Sequence, residues 1–201
     1  MGLGMNISRI ACLSTALFAL SCAETTGGVT VDATYNLTCP DGSAAGCGAL
    51  APDTCLGSVG QRSIVGSQGA TACTGDYLAV ACEAVDRPDG RRFIALEAFV
   101  GDEFAFALDA ILGDGSVEDT CHITIIEDGA DYGGRVTGGC GTEPPSVDQP
   151  CQLTNVSTEG GAVEFDIECE SLLSDTSGLG FDVGAVGGGP TRIKFGGCTG
   201  F

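Results

Sequence analysis

YLAVACEAVDRPDGRRFIALEAFV, Tyr77 to Val100, is the stretch of sequence that decides the fold. Two apolar-rich segments, Tyr77 to Val85 and Arg91 to Val100, flank Asp86 to Gly90. Proline and an Asp-Gly pair within those five residues favour a tight chain reversal. The stretch therefore predicts two antiparallel strands joined by a short turn.

The meander continues towards the C-terminus. Gly101 and Asp102 predict a turn into a strand over Glu103 to Leu112, and residues 113–116 predict a turn into a strand over Val117 to Glu127. No window of the chain combines a 3.6-residue apolar period with helix caps. These turns therefore indicate a sheet of sequential antiparallel strands and not a helical domain.

On the N-terminal side of the meander, apolar residues alternate with polar ones from Val29 to Cys39, which predicts a half-buried strand. Residues 40–72 are rich in Gly, Ser and Ala and predict a long loop with one short strand around Arg62 to Val65. A short helix near Ala49 to Leu56 is the alternative for part of that loop.

The last third of the chain predicts two related hairpins and a final strand. Both hairpins begin with the pattern Cys-x-[Ile/Leu]-Thr, run through a glycine-bearing turn and return to a cysteine: Cys121 to Cys140 and Cys151 to Cys169. Residues 128–134 and 158–161 are the predicted turns. The final strand, Thr191 to Cys198, directs Ile193 and Phe195 inwards.

These strands predict an all-β protein, a disulfide-stapled antiparallel β-sandwich of about eight to ten strands, with a jelly-roll-like arrangement as one form. A closed barrel is the alternative. The sandwich is expected to be a single domain over residues 29–201.

Cysteines are dense and dispersed, which is typical of disulfide-bonded proteins in an oxidising compartment. The two ends of each predicted hairpin would meet, so we expect the bridges Cys121–Cys140 and Cys151–Cys169. The other six expected disulfide cysteines leave fifteen pairings open, with Cys73–Cys82 as a local closure; the six are Cys39, Cys47, Cys55, Cys73, Cys82 and Cys198. Zinc is disfavoured because no Cys-x-x-Cys pair occurs and His122 is the single histidine.

The N-terminus has the features of an export signal. Arg9 precedes an apolar run, Ile10 to Leu20, that is too short to cross a bilayer as a helix. A positive charge, a short apolar segment and small residues before a cleavage point are typical of a secretory signal peptide. We therefore expect residues 1–21 to be removed.

The residues Phe18 to Cys22 resemble the processing site of bacterial lipoproteins, in which small or apolar residues precede a cysteine. Ser21 fits that pattern, whereas Ala19 stands where the family usually has leucine. The resemblance implies that Cys22 carries lipid, that residues 22–28 form a short tether, and that the protein lies in the cell envelope, at the outer membrane or on a periplasmic face. An ordinary cleaved signal, with Cys22 in a disulfide and the protein secreted, is the alternative, but it leaves an odd number of cysteines.

Charge limits the partners. A formal net charge of -19 repels nucleic acid and anionic membrane surfaces. We therefore expect no nucleic-acid partner, contact with the membrane through the lipid anchor only, and an unknown protein or glycan as ligand. The predicted function is a non-enzymatic cell-envelope lipoprotein whose β-sandwich is a binding or structural module.

Acidic residues suggest two alternative functions. Glu164, Asp166, Glu168 and Glu170 share one strand face and are expected to be solvated, with Arg192 and Lys194 as counter-charges. Two acidic loops are weak candidates for calcium, the cofactor of a calcium-stabilised adhesion or recognition domain. They comprise Asp114, Glu118 and Asp119, and Glu127, Asp128 and Asp131. A carboxylate-based hydrolase is the third hypothesis, although no nucleophile motif or metalloprotease motif occurs and no catalytic residue is predicted.

Overall fold

The fold was analysed in a computed structural model of the chain. The structure describes residues 28–38, 53–54, 57–58, 60–72, 75–102, 104–113, 116–127, 130–135, 151–173, 180–184 and 191–201. The predicted signal peptide, Cys22 and most of the predicted tether lie outside these residues.

The described residues form β-strands connected by turns, and none of them is helical. The strands are β1 (Thr30–Thr38), β2 (Asp53–Thr54), β3 (Gly57–Ser58), β4 (Gln61–Ser67), β5 (Leu78–Asp86), β6 (Arg92–Val100), β7 (Phe104–Leu112), β8 (Val117–Glu127), β9 (Ala130–Arg135), β10 (Cys151–Ser157), β11 (Ala162–Leu173), β12 (Gly180–Val183) and β13 (Arg192–Gly196).

Two antiparallel sheets make up the sandwich. The first sheet runs β4–β1–β13–β11–β10, with β12 placed end to end with β13 between β1 and β11. The second sheet is the meander β5–β6–β7–β8–β9. Leu173 of β11 pairs with Gly133 of β9, and this pairing joins the two sheets. The predicted antiparallel all-β sandwich is confirmed.

Most predicted strands are present within one or two residues of their expected bounds, but three details are wrong. The short strands β2, β3 and β12 were not predicted. Asp53 and Thr54 lie in β2, so the alternative helix near residues 49–56 does not hold there. Residues 130–134, expected in a turn, belong to β9, because the β8–β9 connection is shorter than their glycine content suggested.

The core lies between the inner faces of the two sheets. Alternation along β1 buries Val31, Ala33, Tyr35 and Leu37 completely or almost so. The ring of Phe106 on β7 lies 6.0 Å from that of Tyr35 and, on its other side, 6.4 Å from that of Phe195 on β13. These tilted aromatic contacts cross from one sheet to the other and show that the sheets pack face to face.

A buried ion pair also crosses the core. Arg62 of β4 and Glu127 at the end of β8 expose 0% and 6% of their side chains, and Arg62 Nε donates a hydrogen bond of 2.7 Å to Glu127 Oε2. Tyr35 is the cross-strand neighbour of Arg62. Burial, and next the charge of Glu127, raise the pKa of the Tyr35 phenol, so it remains protonated. The pair ties β4 of the first sheet to β8 of the second.

Two disulfides are described in full. Cys151–Cys169 joins directly opposite residues of β10 and β11, which confirms the hairpin prediction. Cys82 pairs with Cys198, so the predicted local closure Cys73–Cys82 is wrong. The reason is that the segment after β13 runs beside β5 and brings the Cα atoms of Cys82 and Cys198 to 4.7 Å.

Four of the predicted disulfide cysteines lie outside the described residues: Cys39, Cys47, Cys55 and Cys73. Cys121 is disulfide-bonded, but its predicted partner Cys140 also lies outside them. The bridge Cys121–Cys140 therefore stays a prediction.

We use the name strap for residues 197–201, which cover the outer edge of β5. Thr199 pairs in parallel with Glu83, its N–H donates to Cys82 O at 3.1 Å, and its carbonyl accepts from Ala84 N at 2.8 Å. Gly200 has a φ of +87°, and a Cβ there would lie 1.9 Å from Ala84 O. Glycine is therefore required for the strap to approach β5 this closely. The strap occupies an edge that would otherwise be open to pairing with another chain.

Replacing Arg62 by methionine, or Glu127 by glutamine, is expected to lower the free energy of unfolding by about 3–5 kcal/mol, because each change removes the ion-pair partner of a buried charge. The double variant Arg62→Met/Glu127→Leu should lose less than either single variant. Urea unfolding followed by far-UV circular dichroism measures both effects. Lys194→Met, at an exposed ion pair, is the control and should cost less than about 1 kcal/mol. Equal losses at the buried and exposed sites would contradict a role for the buried pair.

The two disulfides should contribute unequally. In the chain-entropy description, a bridge stabilises more when it closes a longer loop. Cys82–Cys198 spans 116 residues and Cys151–Cys169 spans 18. Replacing both partners by serine should therefore cost about 5 kcal/mol for the first bridge and about 3 kcal/mol for the second. The same urea titration checks the order, and a larger loss for the shorter loop would be evidence against it.

Candidate functional site

A cleft of about 190 Å3 opens at one end of the sandwich. The strand ends that form it are the last residue of β5, the first of β6, the end of β7 and the end of β10. Its lining residues are Asp86, Gly90, Arg92, Leu112, Gly113, Val156 and Thr158. The lining is mainly polar, with a charged pair and a hydroxyl group beside the apolar side chains of Leu112 and Val156.

The charged pair of the cleft comes from the β5–β6 hairpin. Asp86 and Arg92 are cross-strand neighbours, and Arg92 Nε donates a hydrogen bond of 2.7 Å to Asp86 Oδ1. That hydrogen bond, with the charge of Arg92, lowers the pKa of the Asp86 carboxyl. Asp86 is therefore ionised at neutral pH and acts as a hydrogen-bond acceptor.

Phe201 of the strap also contacts Arg92. Its guanidinium carbon lies 4.9 Å from the centre of the Phe201 ring, within the range of a cation–π contact. Phe201 is 38% exposed. Asp86 and Phe201 together fix the position of Arg92 at the rim of the cleft.

In the turn between β5 and β6, which borders the cleft, Arg91 and Asp89 form an ion pair. Gly90 has a φ of +84°, which suits glycine and permits the tight turn after Pro88. Arg91 donates to Asp89 through Nε at 2.9 Å and Nη2 at 2.7 Å, and these bonds lower the pKa of Asp89. Arg91 also lies 3.7 Å from Glu118. The sequence predicted this turn, but no local pattern indicated that the end of β10 would meet it and form a cleft.

A second polar cluster lies on the outer face of the second sheet. His122 Nδ1 is 3.9 Å from Asp109 Oδ2, and His122 Nε2 is 2.9 Å from Thr124 Oγ1. Asp109 and His122 are cross-strand neighbours on β7 and β8, and Arg135 of β9 stands opposite His122. The side chain of His122 is 28% exposed. It lies on the face opposite the buried Ile123 and Ile125 and is partly covered.

Burial determines the ionisation of Asp109. β7 is buried on both faces: Ala105, Ala107 and Ile111 share the outer face with Asp109 and are 0%, 8% and 0% exposed. This desolvation raises the pKa of Asp109, and the nearby His122 opposes the rise.

The acidic row on β11 has the environment that the sequence predicted. Glu164 forms ion pairs with Arg192 and, at 3.5 Å, with Lys194 on the neighbouring strand β13. Asp166 accepts a hydrogen bond of 2.6 Å from Asn155 Nδ2. Glu168 and Glu170 are exposed. The row is a solvated outer face with counter-charges, as expected.

The first predicted calcium loop is not assembled by its described members. Glu118 is near Arg91, at 3.7 Å, and Asp119 is 3% exposed within β8, opposite Ile111. Asp114 lies outside the described residues.

The second predicted calcium loop is likewise divided. Glu127 points into the core and binds Arg62, whereas Asp131 lies in β9 opposite Ile126. Asp128 lies outside the described residues. Among all the residues that the structure describes, no three His, Cys, Asp or Glu side chains gather closely enough to hold a metal ion.

The chain matches no protein-family model, no curated protein and no solved structure with which it was compared. The described strands and turns include no helix that is long and apolar enough to cross a bilayer. Any assignment of function therefore depends on the chemistry of the residues themselves.

Asp109→Asn should stabilise the protein at neutral pH. Because the folded-state pKa of Asp109 is raised, the folded state holds its proton more tightly, and the ionised carboxylate costs stability above that pKa. The gain in Tm from Asp109→Asn should shrink as the pH falls below the raised pKa and towards the ordinary pKa of Asp. Thermal melts of both proteins across acidic and neutral pH measure this, with Glu97→Gln, an exposed carboxylate of the same sheet, as control. A gain that does not change with pH would contradict the burial argument.

Proposed function

We propose that this protein is an exported, lipid-anchored component of a cell envelope, and that its β-sandwich is a non-enzymatic binding module for a glycan or protein ligand. The observation that carries the proposal is the pair of disulfides Cys82–Cys198 and Cys151–Cys169, one between the two sheets and one within the first sheet. Structural disulfides of this kind are formed and kept in oxidising compartments outside the cytoplasm.

The N-terminal sequence supports the anchored form of this proposal. Ile10 to Leu20 has the length of an export signal, and Ser21 and Cys22 follow in the arrangement of a lipoprotein processing site. A single acyl chain binds membranes weakly, whereas two or more chains anchor a protein stably. A multiply acylated Cys22 would hold the sandwich at the membrane surface.

Binding has more support than catalysis. Glycoside hydrolysis uses two carboxyl groups about 5 to 9.5 Å apart, one of them with a raised pKa, whereas Asp86 is the single carboxylate among the described residues of the cleft, and its pKa is lowered. Asp109, His122 and Thr124 are the components of a nucleophilic triad, but they lie on a sheet face. That face is formed by strands paired on both sides of β8, and no cleft is described at these three residues.

Lipidation at Cys22 gives the direct test. Cells that express the full chain are labelled with a tagged fatty acid, and the mature protein is analysed by intact mass and by partition into detergent. We expect a labelled chain that begins at Cys22. Cys22→Ser should abolish the label and release the protein from the membrane fraction, whereas Cys12→Ser, within the predicted signal, should change neither.

An unlabelled wild-type protein whose mature chain begins at another residue would overturn the anchor. Recovery of that protein in the cytoplasm, with its cysteines reduced, would overturn export as well.

A further inference from the structure

We propose that the cleft at Asp86, Arg92 and Thr158 binds one unit of a neutral sugar. This inference rests on the proposed binding function and names its site and its ligand class. It follows from the hydrogen-bonding groups left available in the cleft, from the volume of the cleft and from the charge of the protein.

Arg92 and Asp86 keep hydrogen-bonding capacity for a ligand. A guanidinium group carries five N–H donors, and Arg92 uses one of them, on Nε, to bind Asp86 Oδ1. Among the described residues, the two side chains make no further hydrogen bond or ion pair. The Nη donors of Arg92 and Oδ2 of Asp86 therefore remain available to a ligand on two residues that line the cleft.

The β5–β6 hairpin and the strap position these two side chains. Asp86 and Arg92 close the β5–β6 hairpin, and the Phe201 ring contacts Arg92. The Asp86 side chain is 71% exposed and that of Arg92 is 30% exposed, so their mutual hydrogen bond and the ring contact hold them, and not burial. A donor and an acceptor on such a pair match two neighbouring hydroxyl groups, one accepting from Arg92 and one donating to Asp86.

The remaining walls of the cleft offer both apolar and polar contacts. Leu112 and Val156 give the cleft an apolar side, and Thr158 adds a hydroxyl group. A sugar ring has an apolar face of C–H groups and a polar edge of hydroxyl groups, so both kinds of wall are used. The volume of about 190 Å3 is below the roughly 300–1,000 Å3 typical of drug-sized ligands. The cleft therefore suits one sugar unit and not a longer segment.

The charges of the protein and of the cleft favour a neutral ligand. An anionic sugar would be repelled by the net charge of -19 and by the Asp86 carboxylate. A cationic sugar would be repelled by Arg92 in the cleft. Asp86 and Arg92 together carry no net charge. A neutral polyhydroxyl unit avoids both repulsions and satisfies both partners.

Binding can be measured with the full chain, purified in detergent with its disulfides intact. Ligand-observed NMR and calorimetric titration would use glucose, galactose, mannose and their neutral oligomers, with glucuronic acid and glucosamine as the charged probes. We expect binding of at least one neutral sugar, and weaker or undetectable binding of the charged ones. Equal affinity for a monosaccharide and its oligomers would agree with a one-unit site.

Three variants locate the site. Asp86→Asn and Arg92→Gln each remove a charge-assisted hydrogen bond and should weaken binding about tenfold or more, and Thr158→Trp should block the cleft by volume. The matched controls Glu164→Gln and Arg192→Gln break an ion pair on the outer face of the first sheet and should leave binding unchanged. Circular dichroism of each variant checks that the fold is retained.

The proposal is overturned if no neutral sugar binds, if a charged sugar binds more tightly, or if the cleft variants and the control variants lose affinity equally. These outcomes do not depend on the anchor. A lipidated protein that binds no sugar removes this inference alone, and a sugar-binding protein without lipid removes the anchor alone.

Discussion

The buried ion pair between Arg62 and Glu127 is the constraint on which the arrangement of the two sheets depends. The hydrophobic effect that drives the two apolar faces together is non-directional and does not by itself select one relative position of the sheets. A charged hydrogen bond of 2.7 Å in the interior can form in one relative position only. It fixes β4 against β8, and the nearby aromatic contacts of Tyr35, Phe106 and Phe195 then pack at defined separations.

The other links between the sheets lie elsewhere in the sandwich. Leu173 pairs with Gly133 where β11 meets β9, and Cys82–Cys198 joins β5 to the segment after β13. A glycine at position 133 suits the close approach of two strands. With these points fixed, the turns at the end of the sandwich project from a rigid frame. Their positions are set by the sheets, which is the usual way in which loops acquire a binding geometry.

Short-range sequence signals predicted the strands well, and long-range contacts explain what they missed. Alternation identified β1 and β13, turn residues identified the meander, and cysteine spacing identified Cys151–Cys169 because both partners lie in one hairpin. Cys82–Cys198 depends on tertiary structure and has no local signal. The cleft has no local signal either, since Thr158 and Asp86 line it together only after the two sheets have packed. Residues 130–134 were misread because glycine is common in turns, although the sheet accepts it in β9.

The position of the strap also sets the order of events as the chain is made. Cys198 follows Cys82 by 116 residues, which at ordinary rates of synthesis takes on the order of ten seconds. A hairpin such as β5–β6 forms within microseconds, so β5 exists long before the segment that covers its edge. Throughout that interval each emerging chain presents an open strand edge to its neighbours. The edge of β5 is therefore covered by one of the last segments of the chain to be made, and any chain that stops before residue 197 keeps that edge open.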